Sequence, residues 1–237
     1  QIRGLAARWK ALDEAAPAPA PAPTPAPTPA VPLAAPTRAD HLNASSHIEK
    51  GWNLISAGDP AAAEKILERA LALVPGDSQA TTLLGWARML QEKYDDALVN
   101  FQQIMAREPT NALALVNIGY ICLKKKIFGE AIEHLSKAIR LDNDRRATLY
   151  AHFYLGLLYA ERDMPADAES FLKKAIALGP NLIEAYYELG RVRWFAGNYE
   201  AACQAWRDGV AANKFSPWGK RCAETLREVQ SGGVLAR

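Results

Sequence analysis

The sequence predicts an all-α solenoid built from five copies of one helix pair and closed by a single C-terminal helix. Three regularities predict it. Glycines recur at Gly51, Gly85, Gly119, Gly156 and Gly190, spaced by 34, 34, 37 and 34 residues. An alanine follows each glycine by twelve positions, at Ala63, Ala97, Ala131, Ala168 and Ala202. Prolines Pro75, Pro109 and Pro180 close the first, second and fourth copies, where a helix should stop. A period this long and this tightly kept means stacked copies of one supersecondary unit.

The first element in chain order is residues 1–15, QIRGLAARWKALDEA. Ile2, Leu5, Trp9 and Leu12 fall on one helical face. A helix this short is marginal in water, and its charges oppose the helix dipole, with Arg3 near the start and Asp13 and Glu14 near the end. It is expected to be helical only when docked. Residues 16–39 are dominated by Ala, Pro and Thr. Alternating prolines remove amide donors and favour polyproline II, giving a semi-rigid spacer with a reach on the order of 60 Å.

The repeats occupy residues 40–215 and read as helix, turn, helix, turn. Two antiparallel helices cross closely only where side chains are small. The glycine supplies that on the first helix and the alanine on the second, and a further small residue follows seven positions later at Ala70, Ala138, Ala175 and Gly209, with Ile104 the exception. Large residues fill the gaps at Leu67, Phe101, Leu135, Leu172 and Trp206. Pro60, Tyr94, Phe128, Pro165 and Tyr199 open the second helices. Asn143 ends the third copy, and three inserted residues explain the longer interval. Residues 216–231 then form the capping helix a solenoid needs, with Ser216 as N-cap, Pro217 in the first turn and an apolar stripe of Trp218, Cys222, Leu226 and Val229.

This pattern resembles the tetratricopeptide repeat family. The shared motif is a large residue and glycine, then two small positions, then proline, and Leu84-Gly85, Leu155-Gly156 and Leu189-Gly190 fit it well. The first repeat departs with Lys50 before its glycine, and the fifth with Lys214 where proline is usual. The resemblance implies a right-handed helical-hairpin solenoid whose first helices line a concave groove. The groove residues would be those three before, one after and four after each glycine: Ile48, Trp52 and Ile55; Thr82, Trp86 and Met89; Val116, Tyr120 and Leu123; Phe153, Leu157 and Ala160; Tyr187, Arg191 and Trp194. Some members clamp an acidic peptide terminus with Lys and Asn at such positions. Ile, Trp, Thr and Val stand there instead, which argues against that clamp.

Each aromatic taken alone is accounted for by packing between repeats. A continuous apolar strip facing solvent needs a cover, and an amphipathic helix or peptide is the expected ligand. The expected function is therefore a non-catalytic scaffold or adaptor whose partner is another protein. The face of Ile2, Leu5, Trp9 and Leu12 is one candidate ligand, tethered by the spacer to its own groove or that of a neighbouring chain. Two alternatives stay open: a chaperone or assembly factor for a secreted or envelope complex, and the regulatory arm of a larger signalling protein or enzyme. The chain starts at Gln1, which reads as a processed product or a piece preceded by a leader, anchor or domain, so a membrane enters only through a missing anchor.

Other chemistry finds little support. A net charge of +2 gives no electrostatic case for nucleic acid. Cys122, Cys203 and Cys222 are too few and too widely spaced for a disulfide framework or a zinc site, and lean towards a reducing compartment. His41, His47, His134 and His152 show no paired spacing. Lys124-Lys125-Lys126 suits the end of a helix, and Asp142-Asn143-Asp144 lacks the glycine and distal glutamate of a calcium loop. Neither a cofactor motif nor a nucleophile–base pair is present.

Overall fold

A computed structural model describes residues 35–233. The predicted segment 1–15, with its Ile2, Leu5, Trp9 and Leu12 face, and the spacer up to residue 34 lie outside the described residues. Five helix pairs follow in order: α1 (Arg38–Ser56) and α2 (Pro60–Leu73), α3 (Ser78–Leu90) and α4 (Tyr94–Arg107), α5 (Ala112–Lys124) and α6 (Phe128–Leu141), α7 (Arg145–Glu161) and α8 (Pro165–Leu178), α9 (Ile183–Phe195) and α10 (Tyr199–Asn213). The single helix α11 (Pro217–Gln230) packs on both helices of the last pair.

Side-chain caps start six of the described helices, and tight turns stop the first helix of every pair. Thr37 and Asp40 form a reciprocal capping box at α1. Asp59, Asp77, Asn111, Asp144 and Ser216 each accept a backbone N–H at the start of their helix. The turn inside every pair is three residues long, and its middle residue is left-handed: Gly58, Glu92, Lys126, Asp163 and Gly197, with φ of 82°, 59°, 60°, 58° and 82°. The residue after it donates to the carbonyl five positions back, as Asp59 does to Leu54 and Ile127 to Cys122. This satisfies the orphan carbonyls at the helix end. Three of these positions carry side chains where glycine is favoured, a feature that the spacing of the glycines and prolines does not show.

Small-against-large packing holds the pairs together. A Cβ built on Gly51 would lie 2.6 Å from Leu67 Cδ2, on Gly85 2.7 Å from Phe101 Cζ, on Gly119 2.6 Å from Leu135 Cγ, and on Gly156 2.7 Å from Leu172 Cγ. On Gly190 it would meet the indole of Trp206. All five large partners are fully buried. The three-residue insertion is taken up by α7, which runs for 17 residues where α3, α5 and α9 run for 13. Its N-cap Asp144 follows Asp142, which is left-handed at φ 43° and accepts from the Thr148 hydroxyl.

Polar ties join successive pairs. Glu64 on α2 accepts from Arg88 on α3, from Gln91 and from Lys93, while Arg88 also reaches Glu68 and buried Asn100. Burial pushes the Glu64 carboxyl upward, but the three donors outweigh it and hold the group down at about 2. Glu169 on α8 and Arg193 on α9 repeat the arrangement between the fourth and fifth pairs. The apolar stripe predicted on α11 packs into the last core: Cys222 is buried, and Trp218, Leu226 and Val229 are half-buried against Ile183, Tyr187 and Trp206.

Candidate functional site: a groove along the first helices

The glycine of each first helix faces its partner helix, so the next residue, rotated by about 100°, faces away from it. Trp52 is 49% exposed, and its ring centroid lies 6.2 Å from that of half-buried Trp86. Tyr120, Leu157 and Arg191 continue the series and are half-buried. Leu90, 57% exposed, extends the apolar strip.

Five of the residues expected to line the groove are inside the core instead. Ile48, Val116, Leu123, Phe153 and Tyr187 are all under 7% exposed. Four of these stand three positions before the glycine, where the side chain is turned inward. Phe153 packs with Leu172, Ala185 and Leu189, and Tyr187 with Trp206 and Cys222. Leu123 joins the core around Phe101 and Ile118. Ile55, Thr82, Met89, Ala160 and Trp194 are half-buried. The Thr82 hydroxyl is spent on the Ser78 carbonyl at 2.7 Å. Trp194 sits between Tyr199 and Trp206, with centroids at 4.7 and 5.9 Å. The accessible strip therefore runs through Trp52, Trp86, Leu90, Tyr120, Leu157 and Arg191.

The structure adds a polar cavity to that strip. A volume of about 660 Å³ opens between α5, α7 and α9, lined among others by Lys124, Leu157, Ala160, Glu161, Glu184, Glu188, Arg191 and Phe195. On α9, Glu184, Glu188, Arg191 and Phe195 stand at i, i+4, i+7 and i+11, one continuous helical stripe. Lys124 and Glu161 come four residues after Tyr120 and Leu157, on the faces those residues define. Spacing within one repeat marks each of these positions, but only the stacking of three repeats brings them to one cavity. The expectation took positions three before and four after the glycine, and the open face uses five after, two before and six before.

The electrostatics of the cavity are uneven. Arg191 donates to Glu188 at 3.1 Å and lies over the Phe195 ring at 6.0 Å. Lys124 lies over the Tyr120 ring at 5.5 Å. Burial, then the neighbouring Glu188 carboxylate, push Glu184 up to about 7, with Lys124 opposing them. Burial also raises Glu188, against the pull of Arg191. Next to Lys124, whose ammonium lies over Tyr120, the Tyr120 and Tyr154 rings are 4.8 Å apart, and burial drives the Tyr154 hydroxyl far above the usual phenol range.

Three family models, all described as tetratricopeptide repeat, match residues 48–100 with 128–183, residues 88–153, and residues 183–208. The chain belongs to the tetratricopeptide repeat family. Over 147 residues it is 31% identical to the TPR repeat-containing protein PA4667 of Pseudomonas aeruginosa, a match covering 60% of this chain and 22% of that protein. The chain spans less than a third of the length of the curated relatives it matches. Among solved structures, it superposes on the thermophilic TPR protein TTC0263 of Thermus thermophilus with a TM-score of 0.68 at 22% identity, covering 78% of this chain and 99% of that one. It superposes on PilW, a type IV pilus biogenesis factor, with a TM-score of 0.65 at 20% identity, covering 79% and 88%. At these identities the structural likenesses establish the solenoid. This is the fold of a protein-interaction scaffold.

Proposed function

We propose that the chain is a non-catalytic adaptor that holds a peptide or amphipathic helix of a partner protein against the exposed face of its first helices. The observation that carries this reading is the aromatic strip: Trp52 at 49% and Leu90 at 57% exposure, flanked by Trp86 and Tyr120 and continuous with a concave cavity. Large apolar side chains left in water along a groove are where binding energy concentrates. The first helices come from successive repeats, so the strip is long enough to grip several turns of a helix.

The test is selection of random peptides displayed against the full-length chain. The reading expects enriched peptides carrying apolar residues at helical spacing. Trp52→Ala should weaken them by roughly thirtyfold, the cost of about 2 kcal/mol for truncating an anchor residue, with the circular dichroism spectrum unchanged. Enriched peptides whose affinity ignores both Trp52→Ala and Leu90→Ala would place the binding surface elsewhere.

A further inference from the structure

The cavity between α5, α7 and α9 has a chemistry that the apolar strip does not share. Its lining carries four carboxyl groups, on Glu161, Asp163, Glu184 and Glu188, against two cations, on Lys124 and Arg191. Both cations are engaged, Arg191 with Glu188 and the Phe195 ring, Lys124 over the Tyr120 ring. Glu184 makes no ion pair among the described residues. It stands one helical turn from Glu188 on the same stripe. The volume, about 660 Å³, is that of a ligand pocket and not a packing defect.

We propose that this cavity receives a basic side chain, lysine or arginine, presented by the peptide that docks along the groove. The inference rests on the groove reading and deepens it by naming the chemistry of one anchor. The cationic head lies between the Glu184 and Glu188 carboxylates, and its methylene stem lies along Leu157, Ala160 and Phe195. Charge complementarity favours this occupant. A further carboxylate brought to Glu184 and Glu188 would face like charge in a partly desolvated site, whereas a cation gives Glu184 the partner that Glu188 already has in Arg191. Phe195 in the lining suits the same head, since its ring already carries the Arg191 guanidinium over its face. A long basic side chain also matches a pocket lined by both apolar and acidic side chains, because it buries its stem and keeps its charge paired.

The pool of displayed peptides tests this directly. Enriched sequences should carry Lys or Arg at one fixed distance from the residue that Trp52 contacts. With such a peptide made synthetically, replacing its basic residue by methionine should lower affinity for the full-length chain about tenfold, the worth of one charge-assisted hydrogen bond. Against Glu184→Gln, the lysine and methionine peptides should bind alike. Trp52→Ala should weaken both peptides equally, because it acts on the other end of the groove. Peptides that depend on Trp52 but carry acidic or no charged residues would overturn the basic pocket and leave the groove standing. Peptides indifferent to Trp52, Leu90 and Glu184 alike would overturn both readings, and so would a selection that enriches nothing.

Discussion

Gly190→Ala tests the packing rule at its tightest point. A Cβ there would sit 2.5 Å from Trp206 Cε2 and 2.6 Å from Cδ1, and nearer still to Nε1. The indole has nowhere to go, being fully buried, with its Nε1–H donating to the Tyr187 carbonyl at 3.1 Å. Moving it therefore overpacks the core, at about 1–3 kcal/mol, and strands a buried donor, at about another 1–3 kcal/mol. Helix propensity acts the other way, since alanine is better than glycine in a helix by about 1 kcal/mol. The balance is a loss of about 3 kcal/mol, or a fall in Tm of roughly 6–12 °C for a chain of this size. Urea or thermal unfolding followed by circular dichroism measures it. The control is Gly129→Ala, where a new Cβ meets nothing within 4 Å, so only the propensity gain should appear. If Gly190→Ala is as stable as the parent chain, the large residues of the second helices are not locked against the glycines, and the account of the repeat fails.

Three further predictions concern other sites. Lys126 holds a left-handed turn at φ 60°, so Lys126→Gly should raise stability by about 0.5–1 kcal/mol, the relief of αL strain less the entropy glycine adds to the unfolded chain; equal unfolding midpoints would show that the turn carries no strain. Glu64 and Glu184 should titrate stability in opposite senses. Glu64 is depressed to about 2, so its contribution, about 2 kcal/mol after solvent screening, is present above the usual carboxylate pKa and is lost as pH falls towards 2; Glu184 is raised to about 7, so ionisation in the unfolded state alone lowers stability as pH rises from about 4.5 to 7, by about 2 kcal/mol after the same screening. Glu64→Gln should flatten the acid limb and Glu184→Gln should stabilise the chain at pH 8, and denaturant midpoints across the pH range would expose either sign as wrong. Cys122 and Cys222 are buried, and burial pushes both thiols up to about 11, so iodoacetamide at pH 8 should label half-buried Cys203 first, with mass spectrometry of the peptides as the check.

The repeat was legible in the sequence because its packing is local. Glycine and its large partner lie in adjacent helices of one unit, so Gly119 and Leu135 declare their contact by spacing alone, and five recurrences in register leave little freedom in the fold. The C-terminal end of the solenoid was legible for the same reason: Ser216 and Pro217 begin a helix whatever surrounds them. The surface was less so. Position counting put Phe153 and Tyr187 in the groove, whereas Phe153 is buried by the fifth repeat and Tyr187 by the C-terminal helix, because a solenoid buries each first helix against the element that follows as well as its partner. The charged cavity depends most on that stacking. Lys124, Glu161 and Glu184 belong to the third, fourth and fifth repeats, and nothing in the spacing within one repeat says that they converge. The unit and its period are thus determined by side-chain size along the chain. Which side chains keep solvent, and which carboxylates meet in one cavity, is decided only when the repeats stack and water is removed between them.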